Sequence, residues 1–255
     1  MEHHEVVLYN KDGHVCIFFT DLVEGEGIAS NQLVIVSEGE AALFDPGGDL
    51  TYTPLNIALS RHIDIEENLK YVFASHQDPD IIASLPRWLM HSHCKVISSR
   101  LWARFLPHLV SGFVSSKMNS SLFNRMIELP DEGAKIPLGN SHIVAVPAHF
   151  LHSVGNFHCY DPRSKILFSG DVGAAMTPGE DHQFVEDMKA HIPLMEGFHR
   201  RYMASNRACR AWVHRVRQLD VDMIVPQHGK PIKGQHHIRE FLHWFEHLEC
   251  GVDLI

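Results

Sequence analysis

Apolar and polar positions in the first part of the chain recur in short β-branched and aromatic runs, Glu5–Tyr9, His14–Thr20, Asn31–Ser37 and Glu40–Phe44. Turn chemistry punctuates them at Asn10-Lys-Asp-Gly13, Glu38-Gly39 and Asp45-Pro-Gly-Gly48, which predicts a strand-rich opening. The spacing turns helical over Pro54–His62, Tyr71–Ala74 is a short buried strand, and Ile81–His91 and Ser99–Leu109 are helical with a strand at Lys95–Ser98 between them. Residues 111–128, Ser-rich and then periodic, take no assignment. Strands return at Ser141–Val146, Asn156–Tyr160 and Lys165–Ser169, the last two joined by a turn at Asp161-Pro162. A long amphipathic tract over Asp181–Leu219 predicts helix broken near Pro193, followed by a strand at Met223–Val225 and a closing helix at Gln235–Leu248.

Strands followed by helices occur in about the same order in each half, which predicts an α/β fold of two sheets packed together with helices outside, in four layers, α-β-β-α. No Gly-, Ser- or Pro-rich linker divides the chain, so residues 1–255 are expected to form a single domain.

Composition narrows the function classes. The chain is 45% apolar and 21% charged, ordinary for a soluble globular protein, and its net charge of −9 opposes a general nucleic-acid binder. Five scattered cysteines contain no C-x-x-C pair, which predicts reduced thiols and a cytoplasmic protein. The start lacks a signal pattern, and no apolar run approaches the roughly 18 residues of a membrane helix, so no membrane partner is expected. Histidine is abundant, at 21 residues. His3, His4, His91, His93, His236, His237, His243 and His247 fall in terminal or amphipathic stretches and are read as ordinary surface histidines.

The chemistry concentrates where predicted strands end. Five such places carry a metal-ligand type of residue: Asp45, then His76 with Asp78 and Asp80, then His149, Asp171 and His228. Loops at strand ends are where a rigid scaffold displays functional groups. In an extended segment His76, Asp78 and Asp80 project to one side, which is ligand spacing, and Pro79 favours extended backbone at Asp78. Taken alone, the same Asp-Pro-Asp reads first as a helix N-cap with Pro79 at the first helical position. The recurrence of three histidines and three carboxylates, each straight after a short apolar strand, favours joint metal binding.

This order, His76-x-Asp78-x-Asp80, His149, Asp171, His228, with the early Asp45-Pro-Gly loop, resembles the metallo-β-lactamase fold over residues 30–235. The resemblance implies an αββα sandwich with two metals at one edge of its sheets. The hydrolases of that superfamily carry H-x-H-x-D-H, whereas this chain has Asp78 and Ile81 at the second and third histidine positions. A carboxylate at the second position resembles the H-x-E-x-D of flavodiiron proteins, as does Lys165-Ile-Leu-Phe-Ser-Gly-Asp171. Flavodiiron chains add a flavodoxin domain that binds FMN; none is recognisable here, so neither that domain nor FMN is expected. Ala148-His149-Phe-Leu-His152-Ser153 and Met195-Glu-Gly-Phe-His199-Arg-Arg-Tyr202 look closest to the stand-alone oxygen-binding diiron proteins, which bind dioxygen as sensors, one of them in bacterial chemotaxis.

By that resemblance His76, Asp78 and His149 hold one iron, Asp80 and His228 a second, and Asp171 bridges them. Ile81 leaves the second metal one protein ligand short, an open position for a small exogenous molecule. Asp45 is expected to orient a ligand histidine, and His152 to lie beside the metals without ligating. The anionic donor set favours a pair of irons, with zinc or manganese as alternatives. Expected partners are dioxygen, a signalling or electron-donor protein, and a second copy of the chain in a homodimer. Two other readings stay open: an oxygen or nitric oxide reductase served by a separate flavoprotein, and a dinuclear metallohydrolase. The Arg-rich 199–217 tract is read as a solvated helix face, and Cys209 within it as a packed, inert thiol.

Overall fold

The computed structural model describes residues 4–23, 27–118, 121–177 and 184–255. These form two compact units, Met1–His142 and Ile143–Ile255.

The first unit is built on a seven-stranded sheet in the order β1-β2-β3-β4-β5-β6-β7. Its strands are β1 (Glu5–Lys11), β2 (His14–Phe19), β3 (Gln32–Ser37), β4 (Glu40–Phe44), β5 (Leu69–Phe73), β6 (Lys95–Ser99) and β7 (Met126–Leu129). β1 to β4 form an antiparallel meander and β4 to β7 run parallel, so the chain crosses over through helical segments in the second half. Parallel strands are covered on both faces, which is why β4 runs apolar from Ala41 to Phe44 and β5 from Tyr71 to Phe73, with Leu43, Phe44 and Val72 fully buried. Leu55, Leu59, Leu85 and Trp88 from the crossovers pack in the same core.

The helix expected from Pro54 starts at Asp49, with extended Gly48 as its cap, and Pro54 lies inside it. The single helix expected over Ile81–His91 is two short ones, Pro79–Ile82 and Leu85–Met90. They separate because the Ser84 N–H leaves the helical pattern to donate to Gly47 O at 3.1 Å, and its hydroxyl donates to Pro46 O at 2.8 Å. The span Ser99–Leu109 likewise divides, into Arg100–Ala103 and a 3-10 turn at Leu106–Leu109. Strand β7 falls in the stretch that periodicity left unassigned, and β8 (Ala134–Leu138) has no counterpart among the expected strands.

In the second unit the strands run β13-β12-β11-β10-β9, with β9 (Ser141–Pro147) carrying the division between units. The others are β10 (Phe157–Asp161), β11 (Ile166–Phe168), β12 (Met223–Val225) and β13 (Ile232–Lys233). β9, β10 and β11 are antiparallel neighbours, whereas β12 lies parallel to β11. Helices Met188–Tyr202, Asn206–Val216 and Gln235–Glu246 contribute Met195, Trp212, Phe241 and Phe245 to a core of their own.

The break expected at Pro193 is elsewhere. Helix Met188–Tyr202 runs through Pro193, keeping Met188, His191, Met195 and His199 on one buried face, and the chain turns at Met203–Ser205. There the Ala204 N–H donates to Phe150 O at 3.1 Å, Val252 N–H donates to Ala204 O at 3.0 Å, and Ser205 caps the next helix. The beginning of the Asp181–Leu219 expectation, through residue 183, lies outside the described residues. Among the described residues no helix is long and apolar enough to cross a membrane.

Candidate metal centre

In the first unit, β4 ends at Phe44 and Asp45 follows; β5 ends at Phe73 and Ser75-His76 follow. Asp45 is fully buried and adopts φ +53, a left-handed conformation fixed by its N–H donating to Phe73 O at 2.9 Å. Its carboxylate accepts from Ser75 N–H and from the Ser75 hydroxyl, both at 2.8 Å. Ser75 Oγ also lies 2.9 Å from His76 Nδ1. A hydroxyl carries one proton, and a carboxylate can only accept, so that proton points at Asp45 and Ser75 Oγ accepts from His76 Nδ1–H. Neutral His76 then has its lone pair on Nε2, the tautomer a metal ligand requires. That nitrogen is 3.8 Å from Asp78 Oδ2.

Asp78 occupies the N-cap position of helix Pro79–Ile82 with extended backbone, and its side chain makes no capping hydrogen bond. The position is thus a cap by backbone, while the carboxylate turns toward His76. Asp80 is the second residue of that helix, and the loop 45–48 clamps the whole segment. Gly47 N–H donates to Ile81 O at 2.9 Å, and a Cβ at Gly48 would sit 3.2 Å from both Asp80 Cα and Pro79 O. Ile81 is fully buried.

In the second unit, Asp171 follows β11 and His228 follows β12. Asp171 is buried between two imidazoles: Oδ2 is 2.9 Å from His152 Nε2 and Oδ1 is 3.5 Å from His228 Nε2. Its loop is laced to that of His228 by Gln227 N–H donating to Gly170 O at 2.7 Å and Ala175 N–H donating to His228 O at 3.2 Å. Gly229, at φ +85, permits this approach, since a Cβ there would lie 2.9 Å from Ala175 O. His149 follows β9 and stands edge-on to Phe157, with ring centroids 5.1 Å apart. The Asn156 amide donates to Leu151 O and ties down the 149–152 loop. His152 packs against Phe198 and Tyr202 at 6.2 and 5.5 Å.

Two supporting residues escaped the sequence reading. Ser75, immediately before His76, is not a metal-ligand type of residue and carried no local signal. His199, fully buried, accepts the Gly173 N–H at Nε2 (3.0 Å) and has Nδ1 2.8 Å from Met195 O, so Nδ1 carries the proton. It anchors the loop that bears Asp171, and burial lowers its pKa to about 4, which keeps it neutral. Its place in the Met195–Tyr202 motif was the available signal. Cys209 is buried with Cys250 Sγ 3.7 Å away, and that contact, then burial, pushes its thiol up, in keeping with an inert side chain.

Each unit thus presents imidazole and carboxylate side chains at or just beyond its strand ends, donor types that suit hard or borderline divalent metals. The chain is 41% identical, with a TM-score of 0.85, to the structure of the peroxy diiron species of chemotaxis sensor ODP, covering 98% of this chain and 97% of that one. The apo state of chemotaxis sensor ODP from T. denticola also matches at 41% identity, with a TM-score of 0.84 over 98% of this chain and 96% of that one. The flavodiiron core of Flv1 from Synechocystis sp. PCC6803 shares the fold at 19% identity and a TM-score of 0.73, over 91% of this chain and 59% of that one. No similar sequence occurs among curated proteins. The fold is α/β, of the metallo-β-lactamase type. Residues 28–229 match the model of the ODP family beta lactamase, and the chain belongs to that family.

Proposed function

We propose that this protein is a non-haem diiron oxygen sensor, in which the two units are halves of a single domain and His76, Asp78 and His149 hold one iron, Asp80 and His228 the other, with Asp171 between them. The observation that carries the reading is the 41% identity, over nearly the whole of both chains, to a chemotaxis sensor seen as a diiron species.

Two irons would supply the electrons and the open coordination position for dioxygen. The chain's own residues prepare that site. Asp45, through Ser75, fixes the His76 tautomer and holds its ring in one orientation. Asp171 offers one oxygen toward His228 while its other faces His152. His152 Nε2 lies 2.9 Å from Asp171 Oδ2 with its ring packed against Phe198 and Tyr202, and on release from that carboxylate its N–H would be a proton donor for a small anionic oxygen ligand. Ile81 contributes an apolar, non-ligating wall where many relatives place histidine.

All five cysteines are buried thiols outside any disulfide, in keeping with a reducing, cytoplasmic setting. In this reading a signalling protein responds to the state of the centre and a second copy of the chain completes a homodimer. Metal analysis of protein purified without oxygen or added metal tests the reading. Two irons per chain, with an optical change on exposure to dioxygen that Asp171→Asn abolishes, is the expected result. Two zincs would transfer the site to hydrolytic chemistry. Rapid oxygen turnover with an added flavoprotein would make it a reductase.

A further inference from the structure

The last turn of helix Gln235–Glu246 carries a second cluster of ligand-type residues, unconnected with the residues assigned to iron. His243, Glu246 and His247 each offer a ligand atom, and these atoms all lie within 4.8 Å of one another. The two imidazoles are one helical turn apart, with ring centroids 4.5 Å apart. His247 Nδ1 is 2.8 Å from His243 O. A carbonyl only accepts, so Nδ1 carries the proton and neutral His247 presents its lone pair at Nε2. Both histidines are exposed, so their rings can rotate the remaining distance.

Glu246 is oriented from outside. Arg217 grips it with two parallel bonds, Nη1 to Oε1 at 2.8 Å and Nη2 to Oε2 at 2.7 Å, and each oxygen keeps a lone pair. The guanidinium therefore fixes the carboxylate without exhausting it, as outer partners of metal ligands do. The C-terminal end of the helix dipole adds a favourable field for a cation. Glu196 and Glu249 line the same groove as His243 and His247 and offset the charge of Arg200 there.

We propose that His243, Glu246 and His247 form a surface site for a borderline divalent metal, zinc being the best match, with water completing a tetrahedral shell. Two imidazoles and a carboxylate are an established kind of zinc donor set, and hard cations such as magnesium lack a reason to prefer imidazole. The metal would bind on the turn where Arg217, the C-cap of helix Asn206–Val216, already meets helix Gln235–Glu246.

The test is equilibrium dialysis of zinc chloride against the iron-loaded protein, with zinc and iron both counted per chain. The wild type is expected to take up one zinc with its iron unchanged. His243→Gln and His247→Gln, both exposed substitutions, should lose that zinc while retaining iron and the wild-type optical spectrum. Arg217→Gln should weaken it about 10–100-fold, the usual cost of losing an outer partner. His236→Gln, at an exposed histidine beside Glu240 on the same helix, should change nothing. Zinc uptake equal to the wild type in His247→Gln, uptake only at the expense of iron, or no uptake by the wild type would each overturn the site. None of these results depends on what the iron does with oxygen.

Discussion

Ser75 gives its only hydroxyl proton to Asp45, across 2.8 Å inside the first unit, and thereby becomes an acceptor for His76. Removing the hydroxyl frees the His76 ring to change tautomer and orientation. Ser75→Ala should lower iron affinity about 10–100-fold with only a modest loss of stability, read by competition with a chelator. Unchanged affinity would mean the ring is held by other means.

The loop before the first helix touches the ligand segment through glycine. Gly48 has φ −74 and ψ 179, so alanine fits its backbone, but the added Cβ would press on Asp80 Cα and Pro79 O at 3.2 Å. Gly48→Ala should cost about 1–3 kcal/mol by overpacking and displace Asp80. Metal counting should show the metal assigned to Asp80 and His228 lost before the other. Equal loss of both metals would contradict separate assignments.

Neutral burial of histidine makes stability depend on pH. His199 has its pKa lowered to about 4 by burial, and His191 is lowered to about 4 by burial and then by Lys230. Above pH 6.5 neither the folded nor the unfolded form of these residues is protonated, so they contribute no difference. Between about pH 6.5 and 4 only the unfolded chain binds the proton, and stability falls as pH falls, by about 1.4 kcal/mol per unit for each group at most. His199→Gln should flatten the pH dependence of the urea midpoint between pH 6 and 5. The same slope in variant and wild type would rule the residue out as its source.

Arg125 is buried and, among the described residues, is held by backbone carbonyls. It donates through Nε to Cys94 O at 2.8 Å, through Nη1 to Leu89 O at 2.8 Å and through Nη2 to Ser92 O at 2.9 Å, closing the turn between helix Leu85–Met90 and β6. Arg125→Met keeps the bulk but strands those carbonyls, at about 3 kcal/mol or more. Denaturation should show that loss, and iron content of the folded protein should stay at the wild-type value.

Legibility followed the range of the forces involved. β4, with its apolar run Ala41–Phe44, was readable to the residue, and the ends of β5, β9, β11 and β12 fell within a residue or two, enough to put every candidate ligand at or just beyond a strand end, Asp80 in the short helix that follows. β13 is two residues long and exists by pairing with β12, and β8 contains Pro137, so neither carries a periodic signal. The Pro193 break was misplaced because proline weakens one hydrogen bond, whereas a buried face of Met188, His191, Met195 and His199 holds the helix together. At Asp78 two readings competed: local chemistry favoured the cap, and only the recurrence of ligand-type residues at other strand ends favoured the ligand.

The sequence by itself determined the kinds of donor, their order and the extended spacing of His76, Asp78 and Asp80, because these depend on residue identity and a two-residue repeat. The tertiary structure decided which nitrogen of His76 carries the proton, that Asp78 turns from its cap toward His76, and that His199 holds the Asp171 loop. Each depends on hydrogen bonds or close approaches between segments far apart in the chain, such as Asp45 with Ser75 and Gly173 with His199. Those partners become neighbours only once two separate cores have formed, so no local pattern could specify them.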